Sequence, residues 1–163
     1  MDLLIDTCSW IKFDYLQDKK IVDTGILYQY ADVAITHEVL AEIGYFKVSS
    51  VKIDKTKILP IKNNEIYISA MKLMFDRADA SILSNGSRDS STLIVSEDRA
   101  LLTYATIHRF TCVQLIDLFR ILTETNLISR NKLLKLSNIL RKLRNITKRK
   151  EKSIKEWLQK SNP

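Results

Sequence analysis

Glycine and proline are scarce in this chain of 163 residues: three Gly and two Pro, too few for the tight turns of an all-β sandwich and in keeping with helices joined by short connections. Cysteine is almost absent. Cys8 and Cys112 form no CxxC pair, and with the two scattered histidines they supply no zinc set, so neither a disulfide framework nor a Cys-based zinc site is expected, and a reducing cytoplasm is the expected compartment. No apolar run approaches the roughly 18 residues that span a bilayer, and Met1 to Asp6 is too short an apolar start for a targeting segment. What is present is ordinary for a globular protein. Apolar residues make up 45% and charged residues 28%, enough to bury one core, and the length allows one domain or one domain with an appended element.

The charge is unevenly placed. Residues 1–125 hold 14 Lys and Arg against 17 Asp and Glu, net −3, whereas residues 126–163 hold 12 against 2, net +10. A cationic segment on a slightly acidic body points to a polyanion, most simply nucleic acid, because each cation that neutralises a phosphate releases counterions. A solvated charged helix face explains the same residues. An anionic membrane is a weaker alternative, since no strongly aromatic insertion face backs the charges.

Along the chain, strand and helix patterns alternate. Leu3-Leu4-Ile5 reads as a buried strand ending at Asp6, with a helix through Trp10 and Phe13 to Leu16; Val22–Tyr30 reads as a second helix, and Val33–Thr36 as a strand running into a helix over His37–Phe46. An extended piece around Ile58-Leu59 precedes a helix over Glu65–Phe75, whose apolar side carries Ile66, Ala70, Leu73 and Met74. A short helix from near Ala78 stops at Asn85-Gly86. Thr92–Val95 is the clearest strand; a helix over Ala100–Ile107, a strand over Phe110–Val113 and a helix over Leu115–Thr125 follow. The pattern predicts an α/β fold, a parallel sheet with helices on both faces. Beyond it, Leu133, Leu136, Leu140 and Leu143 mark an amphipathic helix, and Glu151–Lys160 a last short one. The expected division is residues 1–125 and a basic helical extension over 126–163.

Ligands of an open parallel sheet bind outside the carboxyl ends of its strands. Two acids end strands, Asp6 and Asp98, although each also suits a helix N-cap. Two more lie unusually placed on helices: at about 100° per residue Asp79 shares a stripe with core-facing Leu83, and Glu42 falls at the rim of the face formed by Val39, Ile43 and Phe46. Converging carboxylates raise one another's pKa, and a hard divalent cation, Mg²⁺ or Mn²⁺, relieves them. Together with a cationic tail this suggests phosphodiester chemistry. Asp76 and Asp89 read as a surface acid and a loop acid, His37 and His108 as caps or surface residues, Cys112 and Trp10 as core, and Trp157 as the anchor of the last helix.

Four separated segments carry a resemblance over about residues 1–120. Leu-Ile-Asp-Thr-Cys-Ser at 4–9, Val-Leu-Ala-Glu-Ile at 39–43, Arg-Ala-Asp-Ala-Ser-Ile-Leu at 77–83 and Leu-Ile-Val-Ser-Glu-Asp at 93–98 resemble, in order, the acid-bearing segments of the PIN (PilT N-terminal) domain, the fold of the VapC toxin ribonucleases and of several RNA-processing nucleases. The resemblance implies a metal-dependent ribonuclease in which Asp6, Glu42, Asp79 and Asp98 hold one or two Mg²⁺ or Mn²⁺ ions and Ser96 orients Asp98 or the attacking water. Cys8 stands where a small polar residue is common, and Ser96 replaces a commoner Thr while keeping its hydroxyl. The partners implied are RNA and, for a toxin, an antitoxin protein; the basic helices, longer than a compact toxin has, suit RNA binding, cover of an apolar face or a homodimer interface. Two other readings compete. One is a non-catalytic RNA-binding or assembly module on the same fold. The other is a phospho-acceptor receiver-type domain, which requires a partner Lys near a later strand end, and no convincing one is present.

Overall fold

The structure, a computed structural model, describes residues 1–160. Its first compact unit, Met1–Val113, holds a five-stranded, all-parallel sheet in the order β3-β2-β1-β4-β5. The strands are β1 (Asp2–Ile5), β2 (Asp32–Thr36), β3 (Lys57–Leu59), β4 (Thr92–Val95) and β5 (Cys112–Val113). Successive residues Leu3, Leu4 and Ile5 point to alternate faces and all are at most 1% exposed, so both faces of the sheet are covered. The chain steps outward from β1 through β2 to β3, then returns to β4 on the other side of β1. That reversal puts a switch point between β1 and β4, where Ile5 pairs with Val95, and the crevice beyond these two residues is the expected ligand position.

Helices fill the connections: α1 (Thr7–Asp18), α2 (Gly25–Tyr30), α3 (His37–Tyr45), α4 (Asn64–Lys72), α5 (Arg77–Ser84) and α6 (Arg99–Ile107), with a 3-10 turn at Ile53–Lys55. Trp10, Phe13 and Leu16 turn one face of α1 inward and are fully buried, each stabilising the fold by roughly 1.5–3 kcal/mol relative to exposure. Four expectations need correction. The helix expected from Val22 begins at Gly25, because Asp23 takes the Gly25 N–H at 2.7 Å and the Thr24 hydroxyl bonds Gln17 and the Ser50 carbonyl; local side-chain bonds displace the helical ones. The helix expected to reach Phe75 ends at Lys72, where Met74 turns to φ 67°, leaving Leu73 61% and Met74 91% exposed rather than on its apolar side. The last strand is shorter than Phe110–Val113, and Cys112 is half-buried, not core. Gly86 ends α5 beside the Phe110 ring, which a Cβ at that position would meet at 2.3 Å.

The second compact unit begins at Gln114. It comprises α7 (Leu115–Glu124), α8 (Arg130–Lys142) and α9 (Lys148–Lys160). Because α7 packs on α8 and α8 on α9, α7 groups with the basic helices, and the division falls twelve positions earlier than the 125/126 boundary expected from charge. Leu133, Leu136 and Leu140 are fully buried, as are Leu118, Phe119 and Leu122 of α7. Leu143 departs from the expected stripe: it is the C-cap of α8 and 44% exposed. The last helix starts at Lys148 rather than Glu151, extended backward by Thr147, whose hydroxyl accepts the Lys150 N–H. Among the described residues no helix is long and apolar enough to cross a membrane.

Candidate active site

Asp6 follows β1 directly and is 3% exposed. A buried carboxylate must have its oxygens satisfied, and both are: Oδ1 accepts the Ser9 N–H at 2.6 Å, capping α1, and Oδ2 accepts the Ser96 hydroxyl at 2.5 Å. Ser96, fully buried at the end of β4, accepts in turn from the Asp98 N–H at 3.0 Å. One hydroxyl therefore ties the turn after β4 to the acid after β1, across the switch point. The expected role of Ser96 was toward the Asp98 side chain or water; its bonds here go to the Asp6 carboxylate and the Asp98 backbone. Asp98 is exposed and caps α6 through the Leu101 N–H at 2.9 Å.

The other two acids come from helices that a hydroxyl pair aligns. Thr36, the N-cap of α3, and Ser81 of α5 share a buried hydrogen bond of 2.6 Å. Glu42 on α3 is half-buried and accepts the Thr7 hydroxyl at 2.5 Å, which anchors it to the residue after Asp6. Asp79 stands in the first turn of α5, where its N–H donates to the N-cap Asp76 at 2.8 Å. An acid in a first turn is favoured by the helix dipole. Even so, burial, followed by the charges of Asp76, Asp6, Asp98 and Glu42, pushes the Asp79 carboxyl up to about 7.

Asp6, Asp98 and Glu42 thus all act on Asp79 at the carboxyl end of the sheet, and among the described residues none of the four makes an ion pair. The opposite edge differs: there Lys57 bridges Asp2 at 3.0 Å and Asp32 at 2.9 Å, and its hydrogen bond lowers the Asp32 pKa. The donors at the site are hard oxygens, and their uncompensated charge suits a divalent cation. Their placement is looser than a finished metal centre: among the described residues no three His, Cys, Asp or Glu side chains come together as a group able to hold an ion. Cys8, exposed, borders the same acids; burial and then Asp6 push its thiol pKa up, so it is not an activated nucleophile.

Beside Glu42 lies an open, mainly apolar pocket of about 380 Å³, lined by His37, Glu38, Ala41, Glu42, Arg77 and Ala78. Sequence reasoning passed over four contributors to this region. Asp76, expected to be a plain surface acid, is exposed but caps α5 and raises Asp79; its signal is an Asp directly before a helical run, a preferred N-cap type. Thr7 had only its adjacency to Asp6 to mark it. His37 and Arg77 begin the two site helices, a position that the strand-to-helix junctions indicate. His108 caps α6 and stacks on Tyr104 at 4.3 Å, away from any role in the site's hydrogen bonds. Asp89 is a loop acid whose hydrogen bond to Ser91 holds it down at about 2.

No protein-family model, curated protein or solved structure matches this chain.

Proposed function

We propose that this chain is a metal-dependent endoribonuclease with a PIN-like sheet domain, hydrolysing RNA phosphodiester bonds at the edge where Asp6, Glu42, Asp79 and Asp98 meet. The observation that carries this reading is the set of four carboxylates that, among the described residues, have no ion-paired cation, with Asp79 pushed up to about 7 first by burial and then by the neighbouring acids. A protein keeps such charge where a function uses it. The four carboxylates would hold Mg²⁺ or Mn²⁺, which when bound polarises a phosphate and lowers the pKa of a water.

The chain's own residues prepare this site. Ser96 and the Ser9 N–H lock Asp6 in one orientation, and Thr7 does the same for Glu42. Asp79 keeps its carboxyl part-protonated near neutral pH, which holds repulsion down until a cation arrives. Arg77, at the pocket beside Glu42, offers a guanidinium to a substrate phosphate, and the Ala41 and Ala78 wall leaves room for the attached nucleoside. Such an enzyme serves either as a toxin restrained by an antitoxin protein or as an RNA-processing nuclease in the cytoplasm.

A second reading, a non-catalytic RNA-binding or assembly module, is favoured by the lack of a three-ligand group among the described residues. Incubating the protein with structured and unstructured RNA in Mn²⁺, Mg²⁺ or EDTA, beside Asp98→Asn, separates the two. Cleavage that needs the metal and vanishes in the variant supports the nuclease. Equal behaviour of both proteins removes it.

A further inference from the structure

Acidic side chains are few in the C-terminal unit, and each has a cation of its own. From Gln114 to Lys160 there are 13 Lys and Arg against 4 Asp and Glu. Asp117 of α7 pairs with Lys150 of α9 at 2.7 Å, and Glu151 of α9 takes Lys155 at 2.5 Å and Arg141 of α8 at 3.8 Å. With only 16% of each side chain exposed, Asp117 and Glu151 are struts between helices. Glu124 and Glu156 sit in pairs with Arg120 and Lys152 on their own helices.

Five of the remaining cations lie on the outward side of their own helix or in the turn between the two helices. On α8 the buried face is set by Leu133, Leu136 and Leu140, and at about 100° per residue Lys135 and Lys142 lie opposite it. On α9 the buried Ile154 faces inward and Lys148 and Arg149 outward. Arg144 lies in the turn between the helices. All five are exposed and, among the described residues, make no ion pair. Four of them fall between positions 142 and 149, so chain connectivity alone keeps them together. Mutual repulsion makes such a cluster unfavourable unless an anion joins it.

We propose that this outward face, centred on Lys142, Arg144, Lys148 and Arg149, binds the phosphate backbone of single-stranded RNA. The identity of the polyanion rests on the ribonuclease reading; the site itself does not. A lipid headgroup surface fits less well, because among the described residues of the unit only Leu134, at 37%, and Leu143, at 44%, are exposed large apolar side chains, short of an insertion face. The surface grips repeating charge rather than base edges, so it adds affinity without sequence preference. Joined to the sheet unit in one chain, it raises the local concentration of RNA at the acids.

The test is binding of a short oligouridine RNA to the full-length protein in EDTA, so that cleavage does not intervene, over about 50–200 mM salt. The variant Lys142→Gln/Arg144→Gln/Lys148→Gln/Arg149→Gln should reduce the slope of log affinity against log salt by about 3 and weaken binding at least about tenfold. The charge-preserving Arg144→Lys/Arg149→Lys variant should retain the slope, which separates lost charge from lost structure. An unchanged slope in the Gln variant, or tight binding to phosphatidylserine vesicles with none to RNA, overturns the proposal. Salt-steep binding that depends on these residues in a protein that cleaves nothing leaves it standing and removes the nuclease alone. Metal-dependent cleavage with no change in binding in the Gln variant does the reverse.

Discussion

The two units handle like charge in opposite ways. In the sheet unit, acids stand at the carboxyl ends of β1 and β4 and on α3 and α5 with no ion-paired cation among the described residues, and burial, followed by the charges of its acidic neighbours, raises the pKa of Asp79. The helical unit places its half-buried acids, Asp117 and Glu151, against lysine and arginine, and leaves Lys142, Arg144, Lys148 and Arg149 exposed. A carboxylate is a strut where a cation reaches it and keeps its charge open to a ligand where only other carboxylates do. Net charge distinguishes the two segments, but only the pairing tells which charges are available for a ligand.

Breaking the acid site should give the largest effect. Asp6→Asn is expected to lower metal-dependent RNA cleavage by at least about 100-fold, since it removes the charge of an expected ligand and replaces one of its two accepting oxygens by a donor. Ser96→Ala should cost about 10- to 100-fold, the range for groups that orient a metal ligand. Ser96→Thr, which keeps the hydroxyl, should recover most of it. Wild-type rates in Ser96→Ala would show that orienting Asp6 is irrelevant to turnover.

Asp79 sharpens the contrast in the metal-free protein. Its carboxyl titrates near 7 when folded and near 3.8 when unfolded, so the folded state holds the extra proton between those values. Stability is therefore full below about 3.8 and declines as pH rises through 7. Asp79→Asn should unfold at higher denaturant than wild type at pH 8, by roughly 2 kcal/mol after allowance for solvent screening, and differ little near pH 4. Uptake of Mn²⁺, followed by calorimetry, should release protons and tighten as pH rises through 7. A pH-independent affinity would detach the metal from Asp79.

In the helical unit, Asp117→Asn leaves Lys150 half-buried without its partner and should lower stability by about 1 kcal/mol. Glu156→Gln, which breaks an exposed pair, should stay within roughly 0.5 kcal/mol. Equal effects of the two would erase the distinction between strut and surface pair. The smallest effect expected is a gain. Lys148, Arg149 and Lys150 oppose the dipole in the first turn of α9, so Arg149→Glu should raise thermal stability slightly, by about 0.5 kcal/mol, while weakening RNA binding.

Much of this organisation is legible from local pattern. Consecutive apolar residues in Leu3-Leu4-Ile5 and Leu93-Ile94-Val95 indicate strands buried on both faces, because alternate side chains point opposite ways. Asp6 follows its strand at once and Asp98 comes three positions after Val95, so their place at the sheet edge comes with the strand assignments. Helical angle alone put Asp79 near the core side of α5. The misreadings have equally local causes: Leu73 and Met74 continue an apolar rhythm past the point where the backbone turns, and Leu143 fits the stripe of α8 but falls on its cap.

The sequence by itself determined the alternation of strands and helices, the acids that end strands and the concentration of basic residues after position 126, since these depend on neighbours a few residues apart. Tertiary structure decided the rest. The bond from Ser96 to Asp6 joins residues 90 positions apart, that from Thr7 to Glu42 spans 35, and that from Thr36 to Ser81 spans 45; no periodicity encodes them, because they arise only when parallel strands bring distant turns to one edge. The grouping of α7 with the basic helices and the pairing of Asp117 with Lys150 are likewise products of packing, and it is packing that leaves one set of charges neutralised and another open to a ligand.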